Sequence, residues 1–308
     1  VIGCGFVGSS IAFTLMQSGI FSELVLIDAN RDKAEGEAMD LSHGLPFTHP
    51  MDIRAGDYDD VADCALVIVT AGAGQKPGET RLDLVHKNVA IFRSIIPEIA
   101  RRNRDAILLI VSNPVDVLTW AAWKLSGYPA NRVLGSGTVL DTARLKYLLG
   151  ERLGVDSRSV HAFIIGEHGD SEFVPFSQLN LSTKNVEEFF SDERFKDEYK
   201  REDIEQIIEK VKTSGAEVIK LKGATYYGIG MSLVRITKAI FGDENSVITV
   251  SSRLNGEYGM RDVYLGLPAY INRNGVRKIL PLNLRDEEIE KLRNSYNILK
   301  ESYESLNL

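Results

Sequence analysis

Cysteine, tryptophan and histidine are scarce in this chain of 308 residues, with two, two and five copies. Cys4 and Cys64 supply neither a disulfide framework nor a four-thiolate zinc site, so free thiols in apolar surroundings are expected and no metal centre is. A positive balance is also missing: 43 Asp and Glu outnumber 36 Lys and Arg, for a net charge of −7. That favours solubility and argues against nucleic acid, which needs a basic face. No apolar stretch approaches the roughly 20 residues of a membrane span. Ala106 to Val111 is typical of the longest. No charged-then-apolar leader precedes the first motif, and the chain opens inside a strand at Val1-Ile2 without an initiator methionine. Residues ahead of Val1, and a reducing cytoplasm, are therefore expected.

What is present has an ordinary globular balance, 44% hydrophobic and 26% charged residues. The length exceeds one ordinary core and predicts two domains. Short apolar runs recur at Leu24–Ile27, Ala65–Thr70, Ile107–Val111 and Arg132–Leu134. They are continuous rather than alternating, as parallel strands buried on both faces require. Helical stretches separate them, such as Ser9–Ser18, where Ile11, Ala12, Leu15 and Met16 form one stripe. The alternation predicts βαβ crossovers and a doubly wound α/β sheet of the Rossmann kind over residues 1–136.

The pattern changes after about Gly137, and residues 137–308 read as an α+β substrate domain. It should hold a helix over Val139–Leu149, a strand His161–Ile165, and a solvated helical face over Glu187–Lys210, which carries ten acidic and five basic residues. A strand pair at Val247–Val250 and Val263–Pro268 and a helix from Asp286 complete it. Any ligand is expected between the halves.

The first motif is Gly3-Cys4-Gly5-Phe6-Val7-Gly8, between a strand end and a helix start. Gly3 allows the turn, Gly5 lets the backbone approach a pyrophosphate, and Gly8 lets the helix pack on its strand. The anion would sit on the positive end of that helix. Asp28, which lies 20 residues beyond Gly8 after a strand, suits the ribose hydroxyls and would repel a 2′-phosphate, favouring NAD over NADP. The lesser alternative is a turn residue before Asn30, and the nearby Arg31 weighs slightly against the NAD choice.

Three further segments could carry chemistry. Gly166-Glu-His168-Gly-Asp-Ser places a histidine at a strand mouth, where a lone histidine is more often structural. Asp141 and Arg144, three apart on a helix, share a face. They read either as a surface ion pair or as a carboxylate for a histidine Nδ1 beside a guanidinium fork for a substrate carboxylate. The glycine-rich Gly72–Gly78 segment ahead of Arg81 reads as a lid or as a plain surface loop.

These motifs occur in one order along almost the whole chain, together with Ser112-Asn113-Pro114-Val-Asp116, Leu140–Arg144 and Lys222-Gly-Ala-Thr225. In this the sequence resembles the bacterial L-lactate dehydrogenases of the lactate/malate dehydrogenase family. The resemblance implies His168 as proton donor and acceptor, Asp141 as its orienting carboxylate, Arg144 as clamp for the substrate carboxylate and Arg81 as the lid arginine. Asn113 and Thr225 match further substrate contacts. Val7, Asp28, Lys33, Tyr58, Gly72, Ala73, Ser94, Asn113 and Ser136 match positions that contact NAD, beside Gly3, Gly5, Phe6 and Gly8. A cis peptide is expected at Asn113–Pro114.

Gln75 stands where malate-specific members place an arginine. An uncharged glutamine would leave a second carboxylate unpaired, which favours pyruvate and L-lactate over malate. Malate and branched-chain L-2-hydroxyacid dehydrogenases are the alternatives. NAD-dependent glycosidases, which need a metal, and a non-catalytic protein on the same fold fit less well. The family also implies a homotetramer, and an effector site for fructose 1,6-bisphosphate at Lys146 and His161, where activated members carry arginine in place of Lys146.

Overall fold

The computed structural model describes residues 1–74, 78–196, 198–306 and 308. The first half runs α1 (Phe6–Ser18), β1 (Glu23–Leu26), α2 (Arg31–Gly44), β2 (Asp52–Ala55), β3 (Leu66–Val69), α3 (Arg81–Arg102), β4 (Ile107–Ile110), α4 (Val115–Ser126) and β5 (Val133–Gly135). The second half runs α5 (Val139–Leu153), β6 (Val160–His161), β7 (Asn180–Leu181), β8 (Lys184–Asn185), α6 (Val186–Ser191) and α7 (Arg201–Lys222). It ends with α8 (Tyr227–Phe241), β9 (Ser246–Asn255), β10 (Arg261–Asn272), β11 (Gly275–Ile279) and α9 (Asp286–Glu304).

The predicted alternation yields parallel pairs β1·β2, β3·β4 and β4·β5. Ile2 bridges both Ile27 and Val69, so the chain start lies between β1 and β3. β4 faces two helical layers. Leu108 and Ile110 pack with Phe92 and Ile96 of α3 and Leu118 of α4. Ile107 and Leu109 pack with Ile11 and Leu15 of α1 and Leu233 and Ile236 of α8. Burial on both faces is why these strands read as unbroken apolar runs.

The predicted strand pair is β9·β10, and with β11 it extends the parallel sheet as antiparallel strands in the order β11-β10-β9-β5-β4-β3. The seam is the single pair Gly135↔Ser251. It needs small residues: a Cβ on Gly135 would lie 2.4 Å from Thr119 Oγ1, and one on Gly137 2.4 Å from Ser251 N.

Two expectations are corrected. His161–Ile165 does not form a five-residue strand: β6 ends at His161, and Ile165 and Gly166 make only isolated bridges to Phe173 and Gly266. Side chains of the α5 region take the backbone groups a ladder would use. Thr138 Oγ1 donates to Ile164 O at 2.6 Å, and Ile164 N donates to Thr142 Oγ1 at 3.0 Å. Nor is the charged segment one solvated helical face. It is split between α6 and α7, with Phe189, Tyr199 and Ile204 buried. Among the described residues, no helix is long and apolar enough to cross a membrane.

Candidate active site

A pocket of about 630 Å³ opens where the halves meet. From the first half it is lined by Val7, Val111, Asn113 and Ser136, and from the second by Asp141, Arg144, His168, Glu172, Thr225 and Ile229. The Asn113–Pro114 peptide is cis, as expected.

The helical spacing of Asp141 and Arg144 has the predicted effect. Arg144 Nη1 donates to Asp141 Oδ1 at 2.6 Å, and Asp141 Oδ2 lies 2.7 Å from His168 Nδ1. Neither Oδ2 nor Nδ1 makes a well-aligned hydrogen bond, so this is a charge contact first. Glu172 Oε2 stands 3.7 Å from the same nitrogen. Burial pulls the imidazole down, but Asp141, and after it Glu172, hold it well above the ordinary histidine value. Burial pushes Asp141 up, and His168 and Arg144 bring it below the usual carboxylate value. The arrangement is an imidazole biased toward its cationic form, beside a guanidinium that is 19% exposed. It can give a proton to one atom of an anion whose carboxylate Arg144 grips.

The glycine turn suits a dinucleotide. A Cβ on Gly8 would lie 1.8 Å from Gly3 O, whereas one on Gly5 would meet nothing within 4 Å. The start of α1 has no side-chain cap, so its first N–H groups are free for an anion. Asp28 is fixed beside it, accepting from Cys4 N at 2.6 Å and from Asn30 N at 2.9 Å, with lone pairs left for hydroxyls. Asn88 locks the neighbouring turn: Oδ1 accepts from Ala73 N at 2.7 Å and Nδ2 donates to Asn113 O at 2.7 Å.

Other expected residues lie outside this pocket. Arg81, the first residue of α3, donates to buried Glu167 at 2.5 Å and to exposed Asp170 at 3.3 Å, beside His168 but not lining the cavity. Phe6 is exposed and stacked on Tyr226. Lys33 and Ser94 are exposed, and Tyr58 is half-buried under Arg102. Gly72 follows β3, beside Asn88. Lys146 is half-buried on α5 and His161 exposed on β6. Gln75 lies outside the described residues. Sequence reasoning assigned no role to Asp116, Glu167 or Glu172, although all three lie within or one residue beyond the quoted motifs.

A nucleotide-type sheet leading to a paired carboxylate and imidazole defines a nicotinamide-dependent dehydrogenase. Residues 1–135 match the lactate/malate dehydrogenase NAD-binding domain, and residues 138–307 the alpha/beta C-terminal domain of the same family. An L-lactate dehydrogenase of Priestia megaterium is 53% identical over 302 residues, covering 98% of this chain and 94% of that protein. The minor L-lactate dehydrogenase of Enterococcus mundtii, in its ligand-bound form, superposes with a TM-score of 0.96 at 44% identity, covering 100% and 97% of the two chains. A lactate dehydrogenase from a Medee basin deep-sea metagenome gives 0.95 at 48%, covering 100% and 98%. The chain belongs to the lactate/malate dehydrogenase family and uses NAD.

Proposed function

We propose that the chain is an L-lactate dehydrogenase interconverting pyruvate and L-lactate in cytoplasmic fermentation, with residues 1–136 holding NAD and 137–308 the substrate. The observation that carries this reading is the convergence of Asp141, His168 and Arg144 on one pocket beside the glycine turn. The names of the relatives reported above support it.

Bound NAD(H) supplies or accepts the hydride at substrate C2. It would be held by Gly3, Gly5, Phe6, Val7, Gly8 and Asp28, with Lys33, Tyr58, Gly72, Ala73, Ser94, Asn113 and Ser136 around it. Arg144 orients the substrate by its carboxylate, through N–H groups not committed to Asp141. His168, kept cationic, gives its proton to the carbonyl oxygen as C2 is reduced. In the reverse direction the neutral ring takes the hydroxyl proton. Asp141 holds the ring nitrogen that faces away from substrate and stabilises its cationic state. Arg81 meets the charge growing on the oxygen once the lid closes, exchanging Glu167 and Asp170 for substrate. Asn113 and Thr225 complete the substrate wall.

Gln75 makes pyruvate the preferred oxo acid, since a second carboxylate would lack a partner there. Malate or a branched-chain 2-hydroxy acid is the alternative. The assembly is a homotetramer, with fructose 1,6-bisphosphate bound between subunits at Lys146 and His161. NADH oxidation with pyruvate, oxaloacetate and 2-oxoisocaproate tests the reading. Pyruvate should lead in kcat/KM by about 100-fold over oxaloacetate. A lead for either competitor overturns the lactate assignment, and inactivity with all three overturns the catalytic one.

A further inference from the structure

Three buried side-chain atoms converge in the pocket without an aligned hydrogen bond: Asp141 Oδ2, His168 Nδ1 and Glu172 Oε2. All lie within 4.8 Å of one another. Two ligands of a tetrahedral cation sit roughly 3.3 Å apart at bond lengths near 2 Å. The 2.7 Å between Nδ1 and Asp141 is shorter than that and is the spacing of a close ion pair instead.

Charge then poses a problem. Asp141 serves two cations at once, giving Oδ1 to Arg144 and Oδ2 to His168. One carboxylate facing an imidazolium and a guanidinium leaves a surplus positive charge in a poorly hydrated place. Glu172, 5% exposed and 3.7 Å from Nδ1, removes that surplus. The other charges here are committed elsewhere. Glu167 and Asp170, which flank His168, pair with Arg81. Asp116, at the start of α4, is spent on the His168 backbone N–H and on Ser251. Glu209 and Lys212, on the α7 side of the pocket, pair with each other at 3.1 Å.

We propose that Glu172 is a positioning residue for the reaction, a second carboxylate that keeps His168 in its cationic, oxo-acid-binding state while Asp141 is shared with Arg144. The proposal rests on the reading of His168 as proton donor. Burial and the neighbouring Asp141 charge leave the Glu172 carboxyl above its ordinary value, while contact with His168 pulls it down and so favours the ionised form. Glu172 in turn adds to the charges that raise His168.

The test compares the pH dependence of pyruvate KM in the full-length protein and in Glu172→Gln, which keeps the shape and removes the charge. Pyruvate binds the cationic ring, so binding weakens as pH rises through the imidazole midpoint. Losing a carboxylate should lower that midpoint by about half to one pH unit, weakening pyruvate binding about three- to tenfold on the alkaline side. On the acid side kcat should stay within about threefold. Glu172→Asp should restore the midpoint, and Glu172→Ser serves if the glutamine variant does not fold. Superimposable profiles, or a KM raised equally at every pH, overturn the proposal. Histidine NMR of the free protein, with the His168 signal assigned by His168→Asn, reads the imidazole directly. If the wild type ignores pyruvate, the functional reading falls while this titration still decides whether Glu172 holds the ring charged.

Discussion

The backbone N–H of His168 donates to Asp116 Oδ2 at 2.7 Å, tying the pocket segment of the second half to the first turn of α4 in the first. The other carboxylate oxygen accepts from Ser251 Oγ at 2.5 Å. Ser251 is also the β9 residue paired with Gly135 at the sheet seam. One buried carboxylate therefore sets where the imidazole stands relative to the nucleotide half.

That contact has a cost that varies with pH. Burial pushes Asp116 from 3.8 up to about 6, against the two hydrogen bonds that lower it. Between about pH 4 and 6 the native state keeps a proton that the unfolded chain releases. Stability should therefore fall as pH rises through this window, by about 3 kcal/mol for this group, and stay level above it. Asp116→Asn should abolish that slope. Because asparagine offers one acceptor oxygen for two donors, it should also lower kcat/KM about tenfold or more. Urea unfolding at pH 4.5, 5.5 and 6.5 measures the first effect, and an unchanged slope contradicts it.

Gly8→Ala tests the nucleotide turn. The new Cβ would fall 1.8 Å from Gly3 O and 2.8 Å from Thr70 Oγ1, so the start of α1 must move away from the sheet. NADH affinity should drop at least about tenfold, with a thermal midpoint several degrees lower, as overpacking costs of about 1–3 kcal/mol imply. Gly5→Ala is the contrast. Its Cβ meets no protein atom within 4 Å, so it should leave stability nearly intact and weaken cofactor binding. Fluorescence titration with NADH and thermal unfolding separate the two.

The sequence made the parallel core legible because strands buried on both faces leave unbroken apolar runs. The Asp141–Arg144 pair was legible because helical spacing fixes their common face. His161–Ile165 was misread because apolar content does not reveal that Thr138 and Thr142 claim the backbone of Ile164. Asp116 and Glu172 carried no local signal at all. Their importance arises from burial against His168, which sequence neighbours do not encode. The antiparallel extension of the sheet depends on two glycines meeting Ser251, a contact between residues more than a hundred positions apart.

Arg144→Lys probes the substrate clamp. Arg144 spends Nη1 on Asp141, and in the proposed site the rest of its fork would take the substrate carboxylate. Lysine is a point charge that cannot serve both partners in one plane. Pyruvate KM should rise about 100-fold or more, as losing a charge-assisted bidentate pair implies, with a smaller fall in kcat. Steady-state kinetics at fixed saturating NADH gives both numbers. A KM within threefold of wild type would remove Arg144 from the substrate site.

Lys146 is half-buried on α5, and burial pushes its amine below the usual lysine value. A phosphate beside it would restore the charge that burial disfavours, giving binding a reason beyond simple attraction. His161, exposed on β6, lies on an element that packs against α5. If fructose 1,6-bisphosphate binds here, it activates only by preferring the more active assembly, because equal affinity for two states shifts neither. At subsaturating pyruvate and low salt, the bisphosphate should raise the rate about fivefold or more. The gain should shrink as salt rises and screens the phosphates. Lys146→Gln and His161→Ala should each abolish it while leaving the rate without effector unchanged. A flat titration of the wild type at low salt would remove the effector site.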